Sequence, residues 1–295
     1  MQSPTTDPQK HSIRNLNKII IILGLVSFFT DISSEMIVPL IPLFLVSEFS
    51  TSIAFVGLVE GVAESTANIM KGISGLISDK VQSKRNLIAV GYGLSSFAKP
   101  IIAFATGPFI VLGARFGDRI GKGIRTSPRD HLMSDASTPE NRGLAFGFHR
   151  AMDTFGALLG SLIALITLVI FFNVPNIFRI LFLLSFIPAI LGVIFIFLIK
   201  EKKEKPLEKL DSKTLNLRLP RNYFIFLIVA ISIYFVQIST GFLVLKAQSV
   251  FDSLSPSWWN FNFGSLNGVI LTLMSYVLFN IFYVLSSTYL GKLSI

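Results

Sequence analysis

Eight long apolar segments joined by short connections dominate this chain and leave it few ways to fold. They lie at about 19–46, 53–77, 87–106, 108–130, 144–172, 177–199, 222–250 and 267–290. Several exceed the ~20 residues that a helix needs to cross a bilayer core. Leu, Ile and Phe run through them without strand-like alternation, which argues against a transmembrane barrel. With 52% hydrophobic and 15% charged residues, the chain carries more apolar surface than a soluble core can hide. The sequence predicts an all-α membrane protein, integral and multi-pass, with the lipid bilayer as its first partner.

The formal charge of +9 is better read as anchoring charge than as a nucleic-acid footprint, because of where the bases fall. Lys10, Arg14 and Lys18 precede the first span. Lys80, Lys84 and Arg85 follow the second, and Arg125, Arg129 and Arg142 follow the fourth. Eight bases lie between Lys200 and Arg221, after the sixth. The other connections are nearly free of Lys and Arg, Arg179 excepted. Positive connections mark the cytoplasmic side, so the amino terminus is expected in the cytoplasm; the plasma (inner) membrane is the expected location. Trp258 and Trp259 then fall at the outer interface. The start, Met1 to Asn17, is polar and holds Asp7, so it does not read as a cleavable signal peptide. There is no cysteine, and His11, His131 and His149 lack ligand spacing, so neither metal nor cofactor is expected. The organisation predicted is a tail (1–18), a six-helix lobe (19–199), a charged linker (200–221) and a two-helix remainder (222–295).

The chain repeats itself. Phe28-Phe-Thr-Asp-Ile-Ser-Ser-Glu-Met36 aligns with Tyr234-Phe-Val-Gln-Ile-Ser-Thr-Gly-Phe242, and Gly75-Leu-Ile-Ser78 with Gly291-Lys-Leu-Ser294. Two matches in the same order support a duplicated six-helix unit, a common plan for transporters with a midplane site between the repeats.

The stretch Gly75-Leu-Ile-Ser-Asp79-Lys80-Val-Gln-Ser-Lys84-Arg85 carries a resemblance. It is similar to the loop motif after the second helix of the major facilitator superfamily of secondary transporters, with Gln82 where a Gly is more usual. Arg115-Phe-Gly-Asp118-Arg119 resembles the family's fourth-helix Arg motif, and Pro139-Glu-Asn-Arg142-Gly143 its entry into helix 5. The Gly-Pro antiporter signature is missing from the fifth span, where Gly156 and Gly160 stand alone. The resemblance implies a complete six-helix amino-terminal lobe plus the first two helices of a second lobe. It also implies twelve helices in the family, so the sequence reads as a member that stops after its eighth. Gly75, Asp79, Lys80, Lys84 and Arg85 would form a gating latch, with Asp79 pairing across the lobe boundary and the bases gripping carbonyl ends or acids.

Charged side chains inside the membrane cost several kcal/mol each (about 2.5–3.5 on insertion scales), which makes each a functional candidate. Asp31 and Glu35 lie four apart in span 1, hence on one face. Glu60 and Glu64 share a stripe of span 2, as do Arg115, Asp118 and Arg119 on span 4. Lys99 lies in span 3, and His149 and Asp153 in span 5. In the second unit Gln237 aligns with Asp31, and Tyr276 and Asn280 align with Glu60 and Glu64. Acids and bases at matching depth suit a polar cavity for a small solute and for protons, carried by Asp31, Glu60, Glu64 or Asp118. The function expected is proton-coupled secondary transport by alternating access, with efflux favoured, and not an enzymatic reaction. Two alternatives stand: uptake of an organic anion or phosphate ester held by the span 4 arginines, and a transport-incompetent remnant or regulatory fragment. Gly72-Ile-Ser74-Gly75 matches the Gly-x-Ser-Gly of rhomboid-type proteases, but the loop motif already accounts for Ser74.

Overall fold

A computed structural model describes residues 16–81, 83–201, 220–236, 239–253, 263 and 266–293. The described residues form ten helices and no strand: α1 (Lys18–Glu35), α2 (Leu40–Phe49), α3 (Ile53–Ser78), α4 (Lys84–Ala103), α5 (Pro108–Asp135), α6 (Arg142–Ile170), α7 (Ile177–Ile196), α8 (Arg221–Val236), α9 (Thr240–Ser253) and α10 (Asn267–Leu293). Eight continuous spans were expected; spans 1 and 7 are each two helices. Pro39 explains the first break. It has no N–H to give the carbonyl of Glu35, so α1 ends there and α2 restarts at a bend. The second break lies between Val236 and Thr240.

Local chemistry sets the other ends. Asn17 and Ser52 accept the amides of Ile19 (3.0 Å) and Phe55 (3.3 Å), capping α1 and α3. Pro108 opens α5, where a missing N–H does no harm. Ser50 and Asn176 take positive φ at the end of α2 and the start of α7.

The helices pack as successive neighbours: α3 on α5, α5 on α4, α4 on α7, α7 on α1, α1 on α6, α6 on α10, α10 on α9, and α9 back onto α2 and α3. Small residues make the tight crossings. A Cβ on Gly91 would lie 2.7 Å from the Gly121 carbonyl, so α4 and α5 touch backbone to backbone. Gly156 and Gly160 on α6 lie in the same way against Phe28 and Ile32 of α1. Membrane helices associate through such close approaches, since lipid supplies no hydrophobic drive between them.

Large apolar side chains, among them Leu58, Ile69, Phe155, Ile187 and Phe226, stay exposed on the outer faces. Among the described residues, five segments are long and apolar enough to cross a bilayer: Lys18–Phe49, α3, α6, α7 and Asn267–Val284. The chain is an integral membrane protein. α4 and α5 are comparably long but polar, because their charges turn inward: Lys99, Arg115, Arg119 and Arg125 are all buried.

Candidate functional site

The spacing of α5 places Arg115, Asp118, Arg119 and Lys122 on one stripe, and the α3 crossing sets Glu60 and Glu64 opposite it. Gly123 makes the crossing close, since a Cβ there would meet the backbone of Met70. Two hydroxyls pin it. Ser74 Oγ donates to the Gly123 carbonyl (2.9 Å), and Ser127 Oγ to that of Lys71 (2.9 Å). Ser74 is therefore a helix-crossing residue.

The result is a ladder of ion pairs. Arg115 reaches Glu60 (3.3 Å) on α3 and Asp118 (3.4 Å) on its own helix. Arg119 reaches Glu64 (3.5 Å) and, more distantly, Asp118 (3.9 Å). Both guanidinium groups are buried, while the Glu64 side chain is 58% exposed. Lys99 of α4 lies behind the ladder in the fields of Asp118 and Asp31. It is buried, and its ammonium finds no hydrogen-bond partner among the described residues.

A second polar cluster joins α1 and α6. Ser27 Oγ donates to Asp153 Oδ1, and His149 Nδ1 lies 3.5 Å from Asp153 Oδ2. His149 Nε2 is buried without a hydrogen bond among the described residues. Asp31, one turn beyond Ser27, has Asp153, Lys122, Glu35 and Arg125 as its charged surroundings, and it forms no ion pair among the described residues.

A third set of contacts links α10 to the first six spans. Tyr276 OH donates to Glu35 Oε2 (2.7 Å), Asn280 Nδ2 to Ser161 Oγ (3.3 Å), and Arg150 Nη2 to Tyr283 OH (2.6 Å). Tyr276, Asn280 and Tyr283 lie three and four apart, hence on one face of α10. Sequence reasoning gave Tyr276 and Tyr283 no role. The only signal for Tyr276 was its repeat alignment with Glu60.

Between α3, α5 and α9 lies a cavity of about 620 Å³, bordered by Glu60, Glu64, Asn68, Arg119, Ser239 and Phe242. Ser239 Oγ lies 3.5 Å from Glu60 Oε2, which brings the residue before α9 to the ladder. Gln237, assigned to this cavity from the sequence, lies outside the described residues.

The loop motif divides in two. Asp79 and Lys80 are exposed at the turn after α3. Lys84 pairs with Asp135 of α5 (3.4 Å), and Arg85 donates to the Ile199 carbonyl beyond α7 (3.2 Å). Glu201 accepts from the amides of Lys84 (2.8 Å) and Arg85 (3.0 Å) and from Ser83 Oγ (3.0 Å), holding the start of α4. Gly75 faces Ser127 of α5 across the α3 crossing. At the opposite end, Arg179, the exception to the charge pattern, is held by Glu48 (2.7 Å) and by the carbonyls of Ala103 and Ala105.

Comparison with known proteins places this architecture. An uncharacterized MFS-type transporter of Methanocaldococcus jannaschii is 31% identical over 281 residues, 95% of this chain and 67% of that protein. A solved structure described as giving insights into substrate recognition in proton dependent oligopeptide transporters superposes with a TM-score of 0.58 at 13% identity, over 79% of this chain and 51% of that one. A bacterial homologue of the human lysosomal transporter Spinster gives a TM-score of 0.55 at 18% identity, over 66% and 46%. The chain thus spans two thirds of the archaeal relative and about half of the solved transporters. The family model described as Major Facilitator Superfamily matches residues 23–294, and the chain belongs to that family.

Proposed function

We propose that this chain serves proton-coupled secondary transport of a small solute by alternating access. The observation that carries the reading is the cavity of about 620 Å³, bordered by ionisable side chains inside a membrane bundle and by the first residues of α9. That volume suits a small molecule, and an intramembrane carboxylate belongs on an ion or substrate path. Asp31 is the proposed proton carrier. Glu60, Glu64 and Asp118 already face guanidinium groups, whereas Asp31 has only through-space charge around it. Asp153, with Ser27 and His149, is its relay. Exchange against inward-moving protons makes the process export.

The alternating basic connections support an amino terminus in the cytoplasm, and the membrane proposed is the plasma (inner) membrane. The proposed units are a six-helix lobe at 19–199 and a second unit from 222, joined by the charged linker. The residues Gly75 to Arg85 would steady the cytoplasmic ends of α4, α5 and α7. The anion-uptake reading is less well supported, because carboxylates already occupy both arginines of the ladder.

Proteoliposomes loaded with a pH-sensitive dye test the reading. Under an imposed pH gradient, a transported member of a panel of amines, organic anions and sugars should move protons. Asp31→Asn should abolish that movement. A panel that moves no protons with the unmodified chain would refute the coupling.

A further inference from the structure

Which chemistry the cavity selects can be read from what a solute meets first. Its charged border is two carboxylates, Glu60 and Glu64, and one guanidinium, Arg119. These are not equally available. Arg119 is 7% exposed and faces Glu64 on one side and Asp118 on the other. Glu64 lines the cavity, is exposed over more than half of its side chain and is held by a single contact of 3.5 Å. Glu60 keeps Oε1 for Arg115 and turns Oε2 toward the second unit, where the Ser239 hydroxyl sits at 3.5 Å. Phe242 of α9, its ring against Gly57, adds an aromatic wall. A ring face and a carboxylate attract the same kind of ligand, a cation.

We propose that the solute bears a positive charge, as a protonated amine or a quaternary cation, and that it binds by taking Glu64 from Arg119. The released guanidinium has Asp118 on its own helix as its next partner, so the exchange leaves no buried charge alone. This rests on the transport reading above and gives it a substrate class. It also gives an order of events, since solute on Glu64 draws Arg119 along α5 toward Asp118, a residue in the field of Lys99.

The test is equilibrium binding of tetraphenylphosphonium and of its anionic counterpart of the same shape, tetraphenylborate, to the full chain in phosphatidylcholine nanodiscs. Saturable phosphonium binding is expected, weakened about tenfold or more by Glu64→Gln and unchanged by Glu140→Gln in the α5–α6 connection. Glu64→Asp, which keeps the charge, should restore most of it and guards against misfolding of the Gln variant. Equal phosphonium affinity in the Gln variant, or saturable borate binding that Arg119→Gln removes, would overturn the proposal. Proton movement with other solutes but no phosphonium binding would sink the substrate class and spare the transport reading. Phosphonium binding without proton movement by any solute would do the reverse.

Discussion

The α3–α5 ladder and the α1–α6 cluster use similar residues and balance charge in opposite ways. In the ladder Glu60, Glu64 and Asp118 all face guanidinium groups from α5. In the cluster Asp153 has a hydroxyl and an imidazole, and Asp31 forms no ion pair among the described residues. The ladder thus ties α3 to α5 through opposite charges, and the cluster joins α1 to α6 with neutral donors and leaves Asp31 outside any ion pair among the described residues.

Breaking the ladder should cost most. Arg115→Leu leaves Glu60 and Asp118 facing no cation on that rung, and removing one partner of a buried pair costs about 3–5 kcal/mol. Thermal unfolding in detergent reads this loss, and a variant as stable as the parent would dissolve the distinction between the two regions. Overpacking comes next. Gly123→Val at the ladder crossing and Gly156→Val at the cluster crossing both drive a branched side chain into backbone, at about 1–3 kcal/mol each. Similar losses are expected at the two sites, because neither crossing has room for a Cβ whatever the charge nearby. Tyr276→Phe removes the donor to Glu35 and should lower stability by about 1.5–3 kcal/mol if the carboxylate is ionised, less if it is neutral. Measuring it at low and neutral pH separates the two. The smallest effect on stability belongs to Asp31→Asn, within about 1 kcal/mol, together with complete loss of pH-driven movement. Loss of stability with retained movement would reverse the assignment.

The two regions were not equally legible in the sequence. The spans follow from apolar length, and the stripes on α3 and α5 from helical spacing, so the charged residues were found from the sequence. Asp118 with Arg115, three apart on one helix, is a pairing that spacing alone suggests. Arg115 with Glu60 is not, because it depends on how α3 crosses α5, and that crossing is set by Gly123, Ser74 and Ser127, residues with no functional signature of their own. The bend at Pro39 was legible in principle, but an unbroken apolar run masked it. Arg179 broke the charge pattern, and only the structure supplies its reason: Glu48 and two helix-end carbonyls next to it.

The contact of Gly91 with Gly121 bears on how the bundle can move. Two backbones in direct contact leave no room for a side chain between them, so α4 and α5 are packed at the closest distance helices allow. α3, pinned to α5 by two hydroxyls, joins them in one tightly packed group. Stepwise motion needs contacts that can be released and remade, and the α10 face has them, in Tyr276, Asn280 and Tyr283. If the bundle opens as proposed above, the α10 face would be the side that parts, and the glycine crossings the places that stay whole.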